Sequence, residues 1–432
     1  MSFLRKGMMV SGGQMLCVSL GVGANILFAR ALGRTEMGQL ELFRSTAVVI
    51  AASFSLGFGP ANVYFLNNQK VPMQAVVTNA AKQATMMALI IILALAITVP
   101  LMSGYFGHVV LPVALLYAVG VGLDMIRMNL RPILVAKLEV RRYVMVAFVP
   151  GVVVLTGAGC VMLWRLFYGT VSADAAIFVL ALGGMTTGAM SVFFLRKEID
   201  LRLPFDWRLT RRVFSYGVKL AAVMILAMLS QNLSVMLLRL RLDAFEEVSL
   251  YTRAVAICGL LLLVPVGVGP LLYARWSSVT GEVRRKQGEM ALRLHVAYGL
   301  ACMLLVMALG KYVIWFLYGK EYIGGAVALR WLAPAVLCML IFKVGSGILG
   351  GAGKAGITAW VLLVSISIMA VVTYFSVPIL GINGAAIGVL CGNAFSILVV
   401  MALCARLYGI RLSRCLIPTR RDFRSIRDSL RK

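Results

Sequence analysis

The stretch QATMMALIIILALAITVPLMS, residues 83–103, carries no charged side chain between Gln83 and Ser103. A helix rises 1.5 Å per residue, so roughly 20 apolar residues cover the ~30 Å of bilayer hydrocarbon, and this run reads as one complete crossing. The pattern recurs on both sides of it. Cutting the chain at its charged and Gly/Pro-rich interruptions gives the spans 9–29, 38–58, 83–103, 109–129, 143–164, 173–195, 213–238, 249–272, 294–318, 327–347, 357–379 and 383–405. Composition agrees: of 432 residues 61% are hydrophobic and 13% charged, with mean hydropathy +0.94. A water-facing globular fold is nearer half apolar and a quarter charged, so a soluble protein is excluded. The expected fold is an all-α polytopic membrane protein of twelve transmembrane helices.

The 42 Lys and Arg exceed the 16 Asp and Glu, for a formal charge of +26. In a polar chain that surplus would point to nucleic acid. Here, with both termini placed in the cytoplasm, 31 of the 42 cations fall in the cytoplasmic loops and the C-terminal tail. Positive charge near helix ends is retained on that side, so most of the surplus is a topology signal and no nucleic-acid partner is expected. Arg5 and Lys6 precede an apolar stretch without a convincing cleavage site, which reads as a retained first helix and not a signal peptide. The tail from Arg406 to Lys432 has nine basic residues, with Phe423 and Ile426 spaced as one apolar face. It reads as a short amphipathic helix on anionic headgroups.

The eight cysteines are scattered singly, and His108 and His295 are far apart. Neither a disulfide framework, a zinc site nor a His-based triad is expected, and no cofactor or metal is called for. No loop is long enough to fold alone. The longest polar connector, 196–212, separates an N-terminal six-helix lobe, 1–195, from a C-terminal one, 213–405, leaving 406–432 as the tail. The halves echo each other. Arg30, Arg44 and Gly57-Phe58-Gly59-Pro60 in the first correspond to Arg239, Arg253 and Gly267-Val268-Gly269-Pro270 in the second, at separations of 209 residues for the arginines and 210 for the G-x-G-P elements. Six helices is an even number, so both halves enter the membrane alike. Such repeats usually enclose a central cavity and alternate its access by rocking.

Several segments, in order along the chain, resemble the polysaccharide transporter (Wzx-type flippase) family of the multidrug/oligosaccharidyl-lipid/polysaccharide exporter superfamily. They are Phe28-Ala29-Arg30-Ala31-Leu32-Gly33 with Gly38, Gly57-Phe58-Gly59-Pro60-Ala61, Phe214-Ser215-Tyr216-Gly217, Val248-Ser249-Leu250-Tyr251 with Ala254, Leu317-Tyr318-Gly319-Lys320-Glu321-Tyr322 and Pro378-Ile379-Leu380-Gly381-Ile382-Asn383-Gly384-Ala385-Ala386. The last two are the most specific. One departure stands out: many members carry an acid midway along the seventh helix, where this chain reads Gln231-Asn232-Leu233-Ser234. The resemblance implies a bacterial inner-membrane flippase, not an enzyme. It would turn a polyprenyl-diphosphate-linked oligosaccharide from the cytoplasmic to the periplasmic leaflet for O-antigen, capsule or exopolysaccharide synthesis. The lipid-linked oligosaccharide and the bilayer are its implied partners, with a polysaccharide polymerase and a chain-length regulator beyond them.

Ionisable groups inside a bilayer are costly and mark candidate sites. Arg44 lies within the second span and Arg253 within the eighth, Arg30 and Arg239 close the first and seventh, and Lys219 lies inside the seventh. Glu41 and Asp124 are the acids within the spans, apart from Asp174 at the first turn of the sixth. A cationic interior suits a substrate with anionic groups, since guanidinium forks hold phosphate oxygens bidentately. Asn25 and Gln231 are candidate cavity-lining amides. Two readings stand for the acids: Glu41 with Arg44, and Asp124 with Arg127, are internal i,i+3 ion pairs, or gates that release an arginine when substrate or a proton arrives. End-of-helix arginines also snorkel to headgroups. Two rivals remain. A multidrug or cation antiporter of the same superfamily would call for more buried carboxylates, and a membrane glycosyltransferase or polymerase for a large catalytic loop.

Overall fold

The computed structural model describes residues 3–68, 71–137, 139–200, 202–262, 281–352 and 354–410, with the side chains of all of these except 3–8, 10, 11, 68, 219, 220 and 355. Among the described residues every regular element is helical: α1 Phe3–Phe54, α2 Phe58–Asn68, α3 Met73–Leu101, α4 Ser103–Phe106, α5 Leu111–Ala136, α6 Val140–Tyr168, α7 Ala173–Leu195, α8 Trp207–Leu242, α9 Phe245–Leu261, α10 Gly281–Tyr318, a 3-10 turn Lys320–Gly325, α11 Ala326–Gly351, α12 Ala355–Leu380 and α13 Ile382–Tyr408. Span 9–29 and residues 38–54 of span 38–58 both lie in α1, which is two helices joined at a kink, and the helix ends four residues before the predicted span does. Gly33, at φ 77° and ψ −179°, leaves helical geometry there, in a region a side chain would disfavour. Span 249–272 is described only to residue 262, and Gly267, Gly269, Pro270 and the tail from 411 onward lie outside the described residues.

Two helices begin well before their apolar spans. α8 starts at Trp207, where the Asp206 carboxylate accepts the Leu209 backbone N–H at 3.0 Å or less (2.9 Å), as an N-cap does. α10 starts at Gly281, with Glu282 paired to Lys286 at 3.0 Å and to Arg285 at 3.6 Å. Hydropathy marks where lipid ends, whereas the helix continues as long as its hydrogen bonds and caps do.

The outward faces are apolar, as a lipid solvent requires. Along α3, Leu89, Leu93, Ile97 and Leu101 form an exposed stripe, while Ala80, Ala84, Ala88, Ile91 and Leu95 are buried on the opposite side. Two compact units organise the chain, one of residues 1–232 with 243–249 and one of residues 233–242 with 250–432. In the first, α5 and α7 approach to backbone contact: a Cβ on Gly120 would lie 2.7 Å from the Ala181 carbonyl oxygen and one on Gly188 2.6 Å from that of Leu123. In the second, Gly384, Gly388 and Gly392 recur at i,i+4 on α13 and bring it against the α12 backbone at Ser376, Met369 and Ser365. Without a hydrophobic drive between helices in lipid, such small-residue seams supply the packing.

Segment Asp243–Ser249 docks on the first unit. Glu246 bonds Thr35 at 3.2 Å and pairs with Arg34 at 3.4 Å, while Gly38 lies directly against the Phe245 carbonyl. The ion pair is half exposed, so Glu246→Ala is expected to change stability by less than about 1 kcal/mol. Gly38→Val, which pushes a branched side chain into backbone, is expected to detach the segment. Limited proteolysis between Leu242 and Ser249 reads both outcomes.

At the edge of the first unit, Lys137 joins Glu198 and Glu139, the latter at 3.1 Å. Burial lowers its ammonium pKa, but the hydrogen bonds it donates to the two carboxylates, with their charge, outweigh burial and hold it above the ordinary lysine value.

Candidate functional site

The first unit encloses a cavity of about 450 Å³ between α1, α5, α6, α7 and α8. Its ionisable lining is Arg44, Asp124 and Arg127, together with Tyr117 and Cys17. Met128, Met224, Met228, Val48, Val121 and Val154 supply apolar wall, and Gly120, Gly183 and Gly184 leave room on the α5 and α7 side.

Arg44 stands at one end of this chamber. Its guanidinium is 3.6 Å from Glu41 Oε1, and its side chain is 49% exposed where that of Glu41 is 6% exposed. Asn25, on the other arm of the kinked α1, donates from Nδ2 to the same Glu41 oxygen at 3.0 Å. The Gly33 break makes this possible by folding α1 so that residues 25 and 41 meet. The spacing that suggested a Glu41–Arg44 pair is therefore realised, with Asn25 as a third member that i,i+3 arithmetic could not supply.

Asp124 and Arg127 form a two-point bond, Nε to Oδ1 at 2.6 Å and Nη2 to Oδ2 at 2.8 Å. Such fork-to-fork geometry is the strongest arrangement open to the pair. Tyr117, buried on the same helix, falls within electrostatic reach of Arg44, Asp124 and Glu41. Ten residues separate Tyr117 from Arg127, or ~15 Å along the axis, so the α5 side of the cavity spans about half a bilayer. Tyr117 was not singled out in the sequence, although it stands i,i+7 from Asp124 and so shares its face.

The remaining candidates are dispersed. Arg30 is exposed, and its backbone carbonyl accepts from Arg165 Nη1 at 2.9 Å. Gln231 is exposed and donates to the Ala227 carbonyl of its own helix at 3.0 Å. The Lys219 side chain lies outside the described residues. In the second unit Arg253 is 1% exposed, with its guanidinium carbon 5.2 Å from the Tyr318 ring centroid, and Arg239 is 5% exposed. Nearby, Tyr251 donates to Ser234 Oγ at 3.0 Å. The structure thus sets Arg44, Asp124 and Arg127 around one chamber, joins Glu41 to Arg44 and Asn25 to Glu41, and buries Arg239 and Arg253 within the other unit.

No protein-family model matches the chain, and no curated protein matches it. Solved structures do. The inward-facing conformation of a multidrug resistance MATE family transporter of the MOP superfamily superposes with a TM-score of 0.73 at 14% identity, covering 90% of this chain and 94% of that one. The outward-facing conformation of a multidrug resistance MATE family transporter gives 0.64 at 19% identity, with 94% and 96% covered. A MOP superfamily transporter from Pyrococcus furiosus Vc1 (DSM3638), described as having a binding pocket of reverse polarity that suggests a different function, gives 0.68 at 16% identity, with 94% and 96% covered. The fold is the two-lobed, all-helical membrane transporter fold of these MOP superfamily structures.

Proposed function

We propose that this protein is a flippase for a lipid-linked oligosaccharide, carrying a polyprenyl-diphosphate-linked glycan from the cytoplasmic to the periplasmic leaflet of a bacterial inner membrane by alternating access. It would serve O-antigen, capsule or exopolysaccharide assembly and deliver its cargo to a polymerase with its chain-length regulator. The observation that carries this reading is the charge state of the first-unit cavity. The one acid lining the chamber, Asp124, already bonds Arg127, the buried Glu41 pairs with Arg44 outside the lining, and the half-exposed Arg44 presents its remaining N–H donors to the space. A site for organic cations needs an acid to spare, whereas a diphosphate needs guanidinium donors. The apolar wall suits the prenyl portion. Outward movement of an anion from a negative cytoplasm is favoured by ~2.3 kcal/mol per charge per 100 mV, so membrane potential could drive part of the cycle without an acid on α8.

The second reading is a multidrug antiporter. It is favoured by the methionine-rich chamber wall, which would accept lipophilic cations, and by the multidrug resistance transporters among the solved neighbours. The P. furiosus neighbour is described with a pocket of reversed polarity on the same fold. That is the kind of divergence a cationic chamber represents.

Depleting the protein from cells that make surface polysaccharide distinguishes the two. The expected result is loss of polymer with lipid-linked repeat units accumulating on the cytoplasmic side, and unchanged susceptibility to lipophilic cations. Normal polymer together with raised drug susceptibility would overturn the flippase reading.

A further inference from the structure

A second cation, Arg131, stands one turn beyond the Asp124–Arg127 pair, and neither it nor its partners Tyr143 and Gln14 are among the sequence candidates. Arg131, one turn past Arg127 on α5, lies flat on Tyr143 of α6 with its guanidinium carbon 4.0 Å from the ring centroid. Its Nε donates to the Tyr143 carbonyl at 3.3 Å. The Tyr143 hydroxyl accepts from Gln14 Nε2 on α1 at 2.8 Å, which leaves the phenol O–H free to donate. Three helices therefore hold one guanidinium and one phenol in fixed orientation. Arg131 forms no ion pair among the described residues, in contrast to its neighbour Arg127, which Asp124 neutralises. With Nε engaged, the two terminal nitrogens keep the in-plane fork that matches phosphate oxygens.

The cluster is continuous with the chamber. Arg127, one turn from Arg131 on α5, lines the cavity, and so does Cys17, one turn from Gln14 on α1. Twenty residues of α5 separate Leu111 from Arg131, or ~30 Å, which sets the guanidinium at the hydrocarbon boundary. Loop charge assigns this boundary to the cytoplasm. Arg44 stands six residues into the span read at 38–58, ~9 Å from the opposite boundary, which leaves ~21 Å of membrane depth between it and Arg131.

We propose that Arg131, Tyr143 and Gln14, with Arg127 beside them, form a loading site for the phosphate group of an amphiphilic substrate at the cytoplasmic mouth of the first-unit cavity, separate from the Arg44 end. The proposal deepens the flippase reading and rests on it for the substrate class. It gives the cavity two anion stations, one at the leaflet where the lipid phosphate starts and one about two-thirds of the hydrocarbon thickness further in. A plain interfacial anchor would need none of the orientation that Tyr143 and Gln14 impose.

Cys17 is a built-in reporter. The full-length protein, reconstituted in vesicles, would be treated with a membrane-impermeant maleimide, and modification of Cys17 followed by peptide mass spectrometry. Farnesyl diphosphate is the probe and farnesol the control. In the wild type the diphosphate is expected to slow Cys17 modification about tenfold, the scale of one or two charge-assisted hydrogen bonds, and farnesol to leave it unchanged. Arg131→Gln should reduce that protection to less than about twofold, with Tyr143→Phe intermediate. Arg131→Lys, which keeps the charge and the fold but loses the planar fork, should retain only part of it. Arg44→Gln should keep it whole. Equal protection in wild type and Arg131→Gln, equal protection by farnesol, or none in the wild type would each overturn the proposal. Because Arg44→Gln and polymer synthesis are scored separately, failure of the flippase reading is seen as normal polymer on depletion and does not alter the protection result.

Discussion

Gly388→Val is expected to abolish accumulation of folded protein, or to lower its stability by more than about 3 kcal/mol, the upper range for overpacking a tight interior. Gly388 sits in the middle of the Gly384, Gly388, Gly392 stripe of α13. A Cβ there would run into Thr373 Oγ1 and come within 3.0 Å of the Met369 carbonyl oxygen and the Thr373 amide nitrogen. Thr373 is fully buried, so its hydroxyl has nowhere to turn, and two of the three obstacles are backbone. Relief requires the helices to part, and parting loses the contacts at Gly384 and Gly392 as well. Gly356→Ala on α12 is the matched control, since a Cβ at Gly356 meets nothing within 4 Å. Thermal unfolding in detergent, followed by size-exclusion fluorescence, should separate the two variants clearly. A Gly388→Val protein as stable as wild type would mean that the α12–α13 seam is looser than its geometry.

On the proposed flippase function, Arg44→Glu is expected to reduce surface polysaccharide by at least ~100-fold while the protein still reaches the membrane. The estimate follows from losing about two charge-assisted hydrogen bonds to phosphate, each worth roughly 1.5–3 kcal/mol. Two further effects act in the same direction. The new carboxylate would repel the diphosphate, and it would stand i,i+3 from Glu41, whose side chain is 6% exposed and has Asn25 as its other partner. Arg44→Lys keeps the charge but not the fork and should retain partial function. Glu41→Gln removes the counter-charge without removing the Asn25 contact geometry, and should leave Arg44 more open to anion. Polymer measured on gels against protein level by immunoblot checks all three. Normal polymer from Arg44→Glu at normal expression would remove Arg44 from the site.

Much of this molecule is legible from hydropathy and charge alone. The stretch 83–103 behaves as read, with its apolar side chains divided between a lipid-facing stripe and a buried face of α3. Asp124 and Arg127 bond as their i,i+3 spacing suggests, because such pairs need only the geometry of one helix. The early starts of α8 and α10 were invisible for the opposite reason: capping and charged helix formers outside the bilayer leave no trace in a hydropathy profile.

Hydropathy and charge alone specify that the chain crosses a membrane many times as helices and which few of its charges fall inside the apolar spans. Those properties follow from the solvent, because hydrocarbon tolerates neither unpaired backbone nor stray charge. Only the tertiary structure decided which charges share a chamber. The kink at Gly33 carries Asn25 to Glu41, the approach of α1 and α5 sets Arg44 and Arg127 about one cavity, and the Tyr143 ring holds Arg131 at its mouth. The pseudo-repeat that paired Arg44 with Arg253 in sequence gave them different surroundings in space, one half exposed to a cavity and one buried against Tyr318. Spacing along a chain constrains neighbours within one helix. Which helix face meets which is settled by packing, through contacts between residues far apart in sequence.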